Sequence, residues 1–146
     1  MSHPTLIGPV IDAVDARAVG EFWRLLMGFR YRRGDEPPAA GGAETAATDW
    51  LVLTDESGRA QMAVQAVAEL PPTTWPAPGV PQQIHLDLMV GTTEELAAQH
   101  DRVLALGGTV LDDRRDSEEE SIIVFADPAG HPFCILVAPT ATVPTA

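Results

Sequence analysis

An internal repeat of architecture is the feature that most constrains this chain. Two helix-ending glycines, Gly28 and Gly107, stand 79 residues apart, each closing a helix-like segment that follows a strand-like run. In the first half, Leu6–Val14 reads as a strand with Pro9 at an edge or bulge. Asp15 caps a helix whose apolar positions, Val19, Phe22, Trp23, Leu26 and Met27, recur at helical spacing. Phe29–Tyr31, Trp50–Leu53 and Gln61–Val67 read as strands, separated by a Pro-, Ala- and Gly-rich loop (Asp35–Thr48) and a turn at Asp55–Gly58. The order then begins again. Ile84–Val90 is strand-like, Thr92 opens a helix carrying Leu96, Val103, Leu104 and Leu106, and Gly107-Gly108 stops it. Thr109–Leu111, Ile122–Ala126 and His131–Ala138 follow as strands. Asp112–Ser121 reads as a charged hairpin loop, Asp127–Gly130 as a turn, and the Pro- and Thr-rich end as a fraying tail.

Between the halves, Glu69–Pro81 holds five prolines and Gly79, which excludes a helix or an internal strand there. The sequence therefore predicts one domain over residues 1–146, made of two modules at about 5–68 and 83–138 joined by a linker at 69–82. The expected fold class is α+β.

Charge limits the partners. Twenty-one acidic residues face nine basic ones, for a net charge of −12, and all nine are arginine. Without lysine there is no Schiff-base, P-loop-lysine or pyridoxal phosphate chemistry. Without clustered positive charge there is no expected partner in nucleic acid or an anionic membrane surface. No run approaches the roughly 20 apolar residues of a membrane span, and Met1-Ser2-His3-Pro4 has no basic region of a secretory signal. Cys134 is the single cysteine, so no internal disulfide can form. A cytoplasmic protein is expected, and the lysine-free, Ala-, Gly- and Pro-rich usage suggests a bacterium with a GC-rich genome.

Four stretches together resemble the vicinal oxygen chelate superfamily of glyoxalases, bleomycin-resistance proteins and extradiol dioxygenases. They are Asp15 to Phe29 with its Phe22-Trp23 pair, Ile84-His85-Leu86-Asp87-Leu88, Leu104-Ala105-Leu106-Gly107-Gly108, and Asp127-Pro128-Ala129-Gly130-His131-Pro132-Phe133. The nearest branch is that of the glyoxalase-like domains. The resemblance implies two βαβββ modules forming a curled mixed sheet around a cleft, and commonly a homodimer. In the family's enzymes the cleft holds a divalent metal on a strand-one ligand, a histidine opening strand five and a carboxylate in the last strand. Carried over, these positions fall on Gly8, His85 and Cys134. One ligand is kept, one is lost and one becomes a thiol. No cofactor is therefore expected. His85 with Cys134 is the remaining pair for zinc, iron, manganese or nickel, and it needs a third donor.

The strand period adds candidates. Side chains two apart share a face, so His85, Asp87 and Met89 point together, as do Gly8, Val10 and Asp12. If the modules pair as in the family, Asp12, His85, Asp87 and Cys134 look into the cleft and could bind a cationic or hydroxyl-bearing ligand. The alternative is that both aspartates satisfy backbone donors and His85 is a hydrogen-bonded core residue. Trp50 either stacks on a flat ligand or packs in a core. Phe22 and Trp23 read as core, Trp75 as a staple for the linker or an interface residue, and His3, His100 and His131 as superficial. Nothing in the sequence around Cys134 lowers its pKa, so a nucleophilic role is not expected.

Three functions follow. The first is capture of a small molecule, such as an aromatic or cationic antibiotic, without a metal centre. The second is a metal-dependent lyase, isomerase or dioxygenase with an atypical ligand set. The third is metal-free acid–base catalysis by His85 with Asp87 or Asp12.

Overall fold

A computed structural model describes residues 3–40, 42–43 and 48–138. The chain divides into two compact units, Met1–Pro72 and Thr73–Ala146. The first contains β1 (Val10–Ala13), α1 (Ala16–Met27), β2 (Arg30–Tyr31), β3 (Trp50–Thr54) and β4 (Ala60–Ala66). The second repeats that order with β5 (Leu86–Val90), α2 (Thr93–Ala105), β6 (Thr109–Arg114), β7 (Ile122–Ala126) and β8 (Pro132–Val137). The strands form two four-stranded sheets, in the orders β1-β4-β3-β2 and β5-β8-β7-β6. In each, the first and last strands of the unit run parallel and the other neighbours antiparallel, so both sheets are mixed. The fold class is α+β, as the sequence predicts. Among the described residues no helix is long and apolar enough to cross a membrane.

Helix α1 forms where its signals stand. The Asp15 carboxylate accepts from the Ala18 amide at 2.9 Å, and Gly28 ends the helix in the left-handed region at φ 72°. Val19, Phe22, Trp23 and Leu26 face inward, with the Phe22 and Trp23 rings edge-to-face at 5.5 Å. Met27, expected in this stripe, lies partly exposed in the last turn. The first strand is shorter than its apolar run. Gly8 adopts φ 151°, and a Cβ there would overlap the Gln61 carbonyl oxygen. Regular pairing thus starts beyond it, where the Pro9 carbonyl accepts from the Ala63 amide at 3.0 Å.

In the second unit Thr92 caps α2 by accepting from the Glu95 amide, and Leu96 and Val103 are buried. Beneath the helix, Phe125 and Phe133 stack with centroids 5.4 Å apart. His100 is not superficial. Its ring packs toward Phe125 at 6.3 Å, and its Nδ1 lies 2.9 Å from the Asp101 carboxylate. The Asp127–Gly130 turn is held by the buried Asp127 side chain, which accepts from the Ala129 and His131 amides at 2.9 Å each. The charged hairpin is more regular than expected, because Asp112–Arg114 pair with β7 and belong to β6. The linker forms no helix or strand. Thr74 closes a loop within it, donating its amide to the Val80 carbonyl and accepting the Val80 amide, both at 2.9 Å. The tail expected to fray, and part of the Asp35–Thr48 loop, lie outside the described residues.

Candidate functional site

The alternation of side chains along β5 and β8 builds the site. Leu86, Leu88 and Phe133 face the core under α2, so Asp87 and Cys134 face the other side of the sheet. The two are direct partners in the parallel β5–β8 register. His85, one residue before β5, projects toward the same side, and its Nε2 stands 3.3 Å from the Asp87 carboxylate. One donor atom from each of His85, Asp87 and Cys134 lies within 4.8 Å of the others. The two β5-side residues are open to solvent, with side chains 41% and 61% exposed, whereas Cys134 is 8% exposed.

Apolar side chains cover part of the face around Cys134. Cys134 clusters with Ile122 and Val124, and Trp75, Leu111 and Leu136 pack against them. Pairing extends the Asp87–Cys134 row across Val124 to Asp112, which holds Arg114 at 3.0 Å. Burial pushes the Cys134 thiol up to about 11. The negative charge of Asp87 and the hydrogen bond the thiol donates to it add to the rise, and Arg114 opposes it. Cys134 is thus a neutral thiol near pH 7, in keeping with the absence of a nucleophilic environment in its sequence.

Of the five residues singled out from sequence, the structure brings these three together. Asp12 and Trp50 belong to the first unit. There Asp12 pairs with Gln65, and Gln65 with Trp50, forming one cross-strand row. That row lies opposite the buried Ile11, Val64 and Leu51. Across two strand spacings, Asp12 and Trp50 stand about 10 Å apart. Trp50 is 43% exposed, which removes the core alternative for it. His85, likewise exposed, is not a core histidine.

Sequence reasoning missed Trp75 and the Asp112–Arg114 pair as neighbours of the site. No apolar alternation runs through Thr109–Arg114, so the charged segment carried no signal of its pairing with β7. For Trp75 the signal was slight: an aromatic residue in a proline-rich linker, with no period to say which surface it meets.

A profile described as Glyoxalase-like domain matches residues 9–136. The chain belongs to this glyoxalase-like family. Its place in the vicinal oxygen chelate superfamily agrees with solved structures of the same fold. A hypothetical protein from S. aureus is 19% identical, with 92% of this chain and 97% of that one covered at a TM-score of 0.62. A glyoxalase/bleomycin resistance protein from Albidiferax ferrireducens T118 is 14% identical, covering 92% and 98%, at 0.59. A variant of the fosfomycin resistance protein FosX from Listeria monocytogenes, complexed with Mn(II) and 1S,2S-dihydroxypropylphosphonic acid, is 15% identical, covering 95% of each chain, at 0.63. At such identities the likeness is one of fold. No curated protein matches by sequence.

The fold implies a divalent metal, and the residues here fit one only in part. At Gly8, the strand-one ligand position, a side chain would collide with the Gln61 carbonyl. The nitrogen, oxygen and sulfur donors of His85, Asp87 and Cys134 suit a borderline-soft ion such as zinc. They suit manganese, which favours hard oxygen donors, less well.

Proposed function

We propose that this glyoxalase-like protein binds a small cationic or aromatic molecule, such as an antibiotic, on the face of the second sheet that carries His85. The observation that carries the reading is the convergence of His85 and Asp87, both exposed, over the apolar floor of Val124, Ile122 and Trp75. Polar groups beside an apolar, partly aromatic surface are what orient a small ligand. The exposed carboxylate and the net charge of −12 favour a cation. Resistance functions named for the fold's relatives are in keeping with capture of an antibiotic. Asp12 and Trp50 are further ligand-contact candidates on their own sheet, and the protein is read as one domain, cytoplasmic and homodimeric.

Titration with metal-free bleomycin, a cationic aromatic probe, tests this through tryptophan fluorescence. Saturable binding is expected, weakened about tenfold (about 1.4 kcal/mol) by His85→Ala or Asp87→Asn. Absent binding, or binding untouched by both variants, overturns the proposal. Fosfomycin, an anionic phosphonate, should not bind the metal-free protein.

A second reading, metal-dependent chemistry with an atypical ligand set, is favoured by the mixed donor set itself.

A further inference from the structure

We propose that the second module alone holds one zinc-class divalent ion on His85, Asp87 and Cys134, with Asp87 supplying the third donor. This deepens the proposed site and rests on placing the functional centre at His85. The argument is geometric. Asp87 and Cys134 are held opposite one another by the β5–β8 register, and His85 is fixed two residues back on the same side. Backbone pairing therefore converges these side chains without a contribution from the first unit. Donors bound to one tetrahedral ion at about 2.0–2.3 Å must stand roughly 3.3–3.8 Å apart. The His85–Asp87 separation of 3.3 Å already meets this, and small rotations of two exposed side chains bring a set within 4.8 Å to the same spacing.

Chemistry selects the ion. Thiolate and imidazole prefer zinc or cobalt, whereas magnesium and manganese favour oxygen ligands. As the metal–sulfur bond forms, the Cys134 proton passes to the buffer. Three protein donors leave a fourth position for water or a ligand, on the side where His85 and Asp87 are exposed.

Cobalt(II) added to reduced, chelator-stripped protein is the probe. One equivalent should produce a thiolate-to-cobalt charge-transfer band and tetrahedral visible absorption, both displaced by zinc. Cys134→Ser should abolish the charge-transfer band. Asp87→Asn and His85→Ala, at exposed positions that should leave the fold intact, should each weaken cobalt binding roughly tenfold or more. Asp112→Asn, at the far end of the same cross-strand row, should leave it unchanged. No band at one equivalent overturns the inference, as does Asp87→Asn binding as tightly as the parent. Bleomycin binding lost in His85→Ala without a cobalt band would sink the ion and spare the ligand site. A cobalt band with bleomycin binding indifferent to His85 and Asp87 would do the reverse.

Discussion

Tyr31 sits in the first unit with its hydroxyl buried and without an aligned hydrogen-bond partner among the described residues. Arg17 lies over its ring, 4.9 Å from the centroid. Its pKa is pushed up to about 12, chiefly by burial, with Glu21 adding to the rise and Arg17 opposing it. The sign of the linkage follows. Below the ordinary value of about 10, both folded and unfolded chains keep the proton. Between about 10 and 12 the unfolded chain releases it while the folded one retains it, so stability falls as pH rises through that window. The loss is at most about 2–3 kcal/mol. Tyr31→Phe should flatten this part of the profile in urea unfolding at alkaline pH. Near pH 7 it should change stability by no more than about 1 kcal/mol, the net size of one hydrogen bond, as the hydroxyl's interactions with Glu21 and Arg17 are lost. A parent and variant that weaken in parallel above pH 10 would refute the assignment. At this same scale, the legible part of the candidate site was what strand alternation can reach. His85 and Asp87 share a face by a period of two, and the family pattern added Cys134. Trp75 was legible only as a residue in the linker, because its partner surface is formed by strands some 47 to 59 positions later in the chain.

At the level of elements, Gly8 precedes β1 and Asp15 precedes α1, and the two make different predictions. Asp15→Ala removes the acceptor for the Ala18 amide and should cost about 1 kcal/mol. Gly8→Ala brings a Cβ against the Gln61 carbonyl in a backbone region that favours glycine, so the start of β1 must move away from β4. A loss of roughly 3 kcal/mol or more is expected, read as the unfolding midpoint in urea. Gly8→His, which would restore a ligand of the family pattern, should be as disruptive and should not raise metal affinity. An undisturbed Gly8→Ala would show that β1 can yield at no cost. The contrast also explains what was legible in the fold. Caps, helix stripes and glycine stops are local signals, and α1, α2 and the order of strands followed from them. Strand ends are set by partners. Leu6–Val14 contracted to Val10–Ala13 because of the Gly8–Gln61 approach, and β6 grew into the charged segment because β7 pairs with Asp112–Arg114.

On the scale of the whole molecule, β1 and β5 are edge strands of their sheets, and exposed apolar side chains gather on and beside them. Ile7 is 74% exposed near β1, and Ile84 and Met89 are 64% and 66% exposed beside and within β5. Edge strands with uncovered apolar residues favour association, and the expected homodimer would remove such surface from water. The net charge of −12 acts against it, because two such chains repel at long range. The balance should depend on salt: the screening length is about 30 Å at 0.01 M ionic strength and about 8 Å at 0.15 M. Light scattering at micromolar concentration should thus give twice the 15.5 kDa chain mass at physiological salt, with a shift toward monomer as salt is withdrawn. Ile84→Glu and Met89→Glu add charge and remove apolar area at the same edge, so each should favour monomer at every salt concentration. A single-chain mass for the parent at both ionic strengths would mean that the exposed edges do not drive assembly. A dimer unmoved by either glutamate would place the interface away from β5.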